Sequence, residues 1–163
     1  MIDLAPWHDV MIACSAAAAT LAGLILTAMA VNIDAILKFA ALPSRAGSAI
    51  GSLIYVLVLT VGALVPEVTA SELGWLTLFV LLFPIAIHVD VMVRQLQIRP
   101  TQSFGRLWSK LALAVGQVAP FVVSGVFFLQ GSTLGLDWMI VGALAVFVGS
   151  VVTSWVLLVE IRR

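Results

Sequence analysis

The chain has 163 residues, of which 63% are hydrophobic and 10% are charged, whereas soluble domains average about 45–50% apolar and about 25% charged residues. A domain of this length has too little interior to bury so many apolar side chains, so the composition excludes an ordinary soluble domain and predicts a lipid bilayer as the surroundings. Eight Lys and Arg balance eight Asp and Glu, so no basic surface and no nucleic-acid partner are expected.

Five apolar stretches are long enough to cross a bilayer as helices. Short segments rich in Pro, Ser, Gly and charge separate these stretches, which cover residues 10–37, 49–65, 73–93, 111–129 and 138–159. Each stretch is continuously apolar rather than alternating, which favours helices over a β-barrel. The sequence therefore predicts an all-α integral membrane protein in which residues 1–163 form one domain, a five-transmembrane-helix bundle.

The basic residues all fall on one side of this predicted arrangement. They are Lys38, Arg45, Arg94, Arg99, Arg106, Lys110, Arg162 and Arg163. Short cytoplasmic loops collect Lys and Arg, so the N-terminus is predicted outside and the C-terminus in the cytoplasm. The expected location is multi-pass in the cell membrane, meaning a bacterial inner membrane or its equivalent.

A stripe of small and hydroxyl side chains runs along the first predicted span. At about 100° per residue, spacings of three and four place on one face Ala13, Ala16, Thr20, Gly23, Thr27, Ala30 and Asp34. Small residues let helices approach closely, so one interpretation is a dry packing surface that includes Ala13 and Ala16. A second is the wall of a water-filled pathway lined by Thr20, Gly23 and Thr27, with Asp34 favouring cations at the cytoplasmic mouth. A third is a groove for a lipid or a small molecule.

The fifth span has a similar, weaker stripe. Gly142, Gly149 and Thr153 share its face and are predicted to pack against another helix, and the face ends at Glu160. Asp90 in the third span is expected at a similar depth. These carboxylates are interpreted either as partners of nearby Lys and Arg, as the spacing of Asp90 and Arg94 suggests, or as proton or ion sites.

The third span also contains a histidine one helical turn after a proline, His88 after Pro84. Pro84 removes a backbone donor and predicts a kink. His88 is a possible proton or ion site, because histidine titrates near neutral pH. A neutral, hydrogen-bonded side chain inside the bundle is the other interpretation.

No sequence motif for catalysis is present: neither a phosphate-binding loop nor a zinc-protease or hydrolase signature occurs. The two histidines, His8 and His88, are expected at opposite sides of the membrane and cannot share one metal ion or haem. We therefore expect no enzymatic activity, no metal and no cofactor.

Two functions of different class fit these features. The first is a small homo-oligomeric channel or transporter-like protein, in which several copies of span one surround a cation-favouring pathway. The second is a non-catalytic accessory or assembly subunit that binds a larger membrane protein through the same small-residue faces. The two stripes offer more close-contact surface than one bundle needs, which favours a homo-oligomer. The two functions differ in the surroundings of the stripe of span one. In a channel this stripe is in contact with water along its length, whereas in an accessory subunit it is packed dry against another protein.

Overall fold

The computed structural model of the chain describes residues 4–33, 42–98 and 104–161. Within these ranges, the regular elements are a short 3-10 turn and five long α-helices. We number the helices α1 (His8–Val31), α2 (Leu42–Ala63), α3 (Ala70–Ile98), α4 (Phe104–Leu129) and α5 (Leu134–Ile161), and the 3-10 turn covers Ala5–Trp7. The predicted all-helical fold is confirmed.

Four of the five helices have the length and composition of membrane spans. Among the described residues, these stretches are His8–Val31, Ala46–Ala63, Ala70–Asp90 and Leu134–Trp155. In α4 the apolar segment is shorter and covers Ala114–Leu129. Four helices are thus long and apolar enough to cross a membrane.

Several helices extend beyond the apolar stretches that predicted them. The second begins at Leu42 rather than residue 49, the fourth at Phe104 rather than residue 111, and the third continues to Ile98. Hydropathy marks only the apolar part of a helix, whereas the Arg, Gln and Lys residues in the added parts of α3 and α4 are good helix formers. In α2 the added part begins with Pro43, which is tolerated in the first turn of a helix. The first helix ends earlier than residue 37, at Val31, where the N–H of Asn32 donates to the carbonyl of Met29.

Two short connections are closed by local hydrogen bonds. Before α3, the N–H of Thr69 donates to Oε2 of Glu72 at 2.8 Å and the N–H of Glu72 donates to Oγ1 of Thr69 at 3.3 Å, a capping box. After α4, Gly131 adopts a φ of 72°, and Ser132 donates to the carbonyl of Phe127 at 2.9 Å. This Schellman motif needs a left-handed residue, which glycine adopts without cost.

The second helix occupies the centre of the bundle. Each helix packs against the next one in the chain, and α5 returns to pack against α2, so α2 is covered by α1, α3 and α5. Its buried side chains include Leu53, Tyr55, Val56 and Leu59, each at most 1% exposed. The first helix lies at the edge, against α2 and to a smaller extent α5.

Tyr55 joins three helices at this centre. Its hydroxyl donates to the backbone carbonyl of Thr77 in α3 at 3.0 Å. Its ring meets the ring of Phe121 in α4 edge to face, with centroids 4.8 Å apart and an interplanar angle of 89°. The hydrogen bond satisfies the polar end of a buried aromatic side chain, while the ring contact fixes its orientation.

Glycines every seven residues let α5 approach α4 closely. A Cβ added at Gly135 would lie 2.6 Å from the ring of Phe128, and one at Gly142 would lie 2.7 Å from the ring of Phe121. At Gly149 the side chain of Gln117 occupies the corresponding space. Residues seven apart lie on the same face of a helix, two turns from each other. These glycines therefore form the surface of α5 that contacts the side chains of α4.

Candidate functional site

The small-residue stripe of α1 faces away from the bundle. The side chains through which α1 packs inward are Met11, Cys14, Ala18 and Ile25, all buried. Stripe residues are exposed instead: Ala13, Ala16, Thr20, Gly23, Thr27 and Ala30. At 100° per residue the two sets are centred roughly half a turn apart. The stripe is therefore an outer surface of one copy, and we call residues Ala13–Ala30 of this stripe the α1 face.

The hydroxyl groups on the α1 face are bonded within their own helix. Thr20 Oγ1 donates to the carbonyl of Ala16 and Thr27 Oγ1 donates to the carbonyl of Gly23, both at 2.8 Å. This bond uses the hydroxyl proton and leaves oxygen lone pairs on the outer surface. The face can thus offer oxygen acceptors to water or a cation, and it can equally meet an apolar surface without an unsatisfied donor.

Gly23 lies on the α1 face with free space around its Cα atom. A Cβ built at this position meets nothing within 4 Å. The absence of a side chain here is therefore not required by packing inside one copy. Asp34, the predicted charged end of the stripe, lies outside the described residues.

The stripe of α5 packs against α4 inside the bundle. Gly142 and Gly149 are buried against α4, as described above, and Thr153 is half-buried with its hydroxyl donating to the carbonyl of Gly149 at 2.8 Å. This contact accounts for the α5 stripe without a second copy, so it no longer supports self-association. The side chain of Glu160 lies outside the described part of α5.

His88 is half-buried between α3 and α2, and its two ring nitrogens have hydrogen-bond partners in these two helices. Its Nδ1 lies 2.7 Å from the carbonyl oxygen of Pro84, which can only accept, so Nδ1 carries the proton. In the neutral ring Nε2 is then the acceptor, and the hydroxyl of Ser48 in α2 lies 3.4 Å from it. The contacts on both ring nitrogens fit a histidine that links two helices.

Asp90, the other predicted ion site of this helix, is exposed on the surface of α3. It lies two residues after His88, and residues two apart on a helix do not share a face. The structure therefore does not bring His88 and Asp90 together as one site. Among the residues with described positions, no three His, Cys, Asp or Glu side chains are grouped closely enough to hold a metal ion.

Two polar contacts were missed by sequence reasoning. The partner of His88 is Ser48, which precedes it by 40 residues and has no distinguishing sequence signal. Tyr55 did carry a signal, because it is the one tyrosine of the chain and lies within an apolar stretch, where its hydroxyl requires a partner.

Comparison of the chain with protein-family models, with curated proteins and with solved structures finds no match.

Proposed function

We propose that the protein is a multi-pass membrane protein that self-associates through the α1 face and conducts cations along it. The membrane location is supported by four helices that are long and apolar enough to cross a bilayer. The orientation, with the N-terminus outside, is supported by the one-sided distribution of all eight basic residues. Arg106 and Lys110 lie in the first two turns of α4, which supports a cytoplasmic start for this helix.

The orientation is tested with fusions to alkaline phosphatase and to green fluorescent protein. A fusion after Arg163 is expected to fluoresce and to lack phosphatase activity, whereas one after Gly131, in the turn between α4 and α5, should show the reverse. Phosphatase folds only outside the reducing cytoplasm, because it needs disulfides. An active phosphatase after Arg163 contradicts the orientation.

The exposure of the α1 face carries the proposal for conduction. Because the face lies opposite the side that packs on the bundle, it cannot line a path inside one copy. Several copies arranged around an axis bring Thr20, Gly23 and Thr27 of each copy to a common centre. In the sequence Asp34 comes three residues after Val31, where α1 ends, and in this proposal one Asp34 from each copy contributes a ring of negative charge at that end of the pathway.

An accessory subunit is the second candidate. The internal hydrogen bonds of Thr20 and Thr27 favour it, because a face with satisfied donors can be buried dry against another membrane protein. In that case the small residues provide close contact and no ion passes. Conduction by the purified protein distinguishes the two candidates.

Ion flux in liposomes tests the pathway. At low salt, Asp34→Asn is expected to reduce the preference for cations over anions by at least about threefold, since a unit charge at about 4 Å contributes about 1 kcal/mol even in water. At about 1 M salt the effect should largely vanish, because the screening length falls to about 3 Å.

Asp137→Asn is the matched control for this substitution. It removes the same charge from an exposed position in the first turn of α5, at the predicted outer surface and away from the α1 face. It should leave the cation preference unchanged. If the wild-type protein conducts no more than empty liposomes, the channel is contradicted and the accessory subunit takes its place.

A further inference from the structure

A groove lies between α2 and α3 at the end of the bundle where residues 64–69 connect these helices. Its volume is about 790 Å³, within the range of about 300–1,000 Å³ typical of small-molecule sites. No residue of α1 lines this groove, so it is distinct from the α1 face. Its apolar walls are formed by Leu57, Val58, Val61, Val65, Val68 and Leu76.

The walls of this groove are accessible from outside the bundle. Val58 is 38%, Val61 is 49% and Val65 is 53% exposed. Gly62 lies in the floor, where the side chain of Leu76 approaches too closely for a Cβ to be added. The groove is thus a lateral, apolar opening that accepts an aliphatic chain from the surroundings.

Two carboxylates stand at the mouth of the groove. Glu67 is exposed in the connection, and Glu72 is exposed in the first turn of α3. The sequence contains no Lys or Arg from residue 46 to residue 93, so the helix ends that form the mouth supply negative charge alone. Glu72 is held in place by the N–H and hydroxyl of Thr69, both at 2.8 Å.

We infer that this groove binds an amphiphilic organic cation, with its apolar chain along α2 and its amine or quaternary ammonium group between Glu67 and Glu72. The charge of the mouth selects this occupant. A phospholipid, even one whose headgroup also carries an amine, would bring its phosphate close to two carboxylates with no basic residue to pair with it, which is unfavourable. A cation without a phosphate matches both the walls and the mouth.

Calorimetric titration of the full chain in micelles of a nonionic detergent, which supplies no competing ammonium group, tests the inference, with empty micelles subtracted. The probe is dodecyltrimethylammonium, compared with dodecanol and dodecyl sulfate, which have the same chain but no charge or a negative charge. Saturable binding of one dodecyltrimethylammonium per chain is expected, tighter than binding of either analogue.

Variants then locate the probe. Glu67→Gln and Glu72→Gln should each weaken binding by up to about fivefold, since exposed charge pairs contribute little each. Gln also supports a capping box, so Glu72→Gln keeps the start of α3 intact. Val61→Trp should fill the groove and weaken binding at least about tenfold, and Val58→Trp provides a second blocking variant. Asp137→Asn, whose carboxylate is not in the groove, should bind as the wild type does.

The inference is overturned if dodecanol or dodecyl sulfate binds as tightly as dodecyltrimethylammonium. It is also overturned if folded Val61→Trp and Val58→Trp proteins retain wild-type affinity, or if Asp137→Asn weakens binding as much as Glu67→Gln. Because the α1 face is untouched in all of these proteins, their ion flux reports on the proposed channel separately.

Discussion

Gly142→Leu is expected to unfold the bundle, whereas Gly23→Leu should leave it folded and separate its copies. At Gly142 the first added carbon would lie 2.7–2.9 Å from three ring atoms of Phe121, a side chain that is 1% exposed and cannot move aside. Overpacking of this kind costs about 1–3 kcal/mol for small insertions, and leucine adds three more carbons. We expect a loss of at least about 3 kcal/mol or no folded protein.

Gly23 occupies the opposite situation. Its surroundings are open within one copy, and leucine is a better helix former than glycine by about 0.8 kcal/mol. Gly23→Leu should therefore preserve helix content and the unfolding of the single chain. The bulky side chain should nevertheless prevent close approach of neighbouring α1 faces, and the mass in mild detergent should fall to that of one chain.

Light scattering and circular dichroism in the same detergent measure both variants. If Gly142→Leu yields no protein, Gly142→Ala is measured instead. It should lower the free energy of unfolding by about 1–3 kcal/mol. An unchanged assembly mass for Gly23→Leu contradicts the role of the α1 face as a contact between copies. A stable Gly142→Leu protein contradicts the packing of α5 on α4.

Tyr55→Ala is expected to lower the free energy of unfolding by about 3 kcal/mol or more. Removal of a buried aromatic ring leaves a cavity, and aromatic-to-alanine changes in protein cores cost about 3–5 kcal/mol. The change also removes the edge-to-face contact with Phe121 and the hydrogen bond to Thr77. Three helices lose a common contact through one substitution.

Two further substitutions separate these contributions. Tyr55→Phe keeps the ring and loses only the hydrogen bond, so it should cost about 0.5–1.5 kcal/mol. Phe79→Ala removes an aromatic side chain that is 74% exposed on α3 and should change stability by less than about 0.5 kcal/mol. Unfolding in mixed micelles gives all three values. Equal losses for Tyr55→Ala and Phe79→Ala would show that Tyr55 is not at the centre of the bundle.

The order of the five helices in the described part of the chain could be predicted because each contains a continuous apolar stretch. Which side of α1 packs against the other helices could not be predicted. Leu24 and Leu26 are exposed on α1 just as Gly23 is, so hydrophobicity does not distinguish the inner side from the outer side. Only the positions of α2 and α5 determine that Met11 and Ile25 point inward.

For α5 the sequence was more informative. Gly142 and Gly149 were predicted to pack on the basis of their spacing, and the structure places both against α4. Gly135 continues the same repeat seven residues earlier but precedes the apolar stretch from which the prediction was made. The groove between α2 and α3 depends on the path of the connection at residues 64–69, which hydropathy does not describe.

The contact between α5 and α2 gives the chain an order of assembly. Neighbouring helices can pair as soon as each emerges from the ribosome, whereas α2 must wait for two further helices before α5 covers its remaining side. A chain interrupted before α5 therefore presents an uncovered side of its central helix to the surroundings. The finished protein therefore differs from an unfinished one at its centre, because the last helix to be made completes the cover of α2.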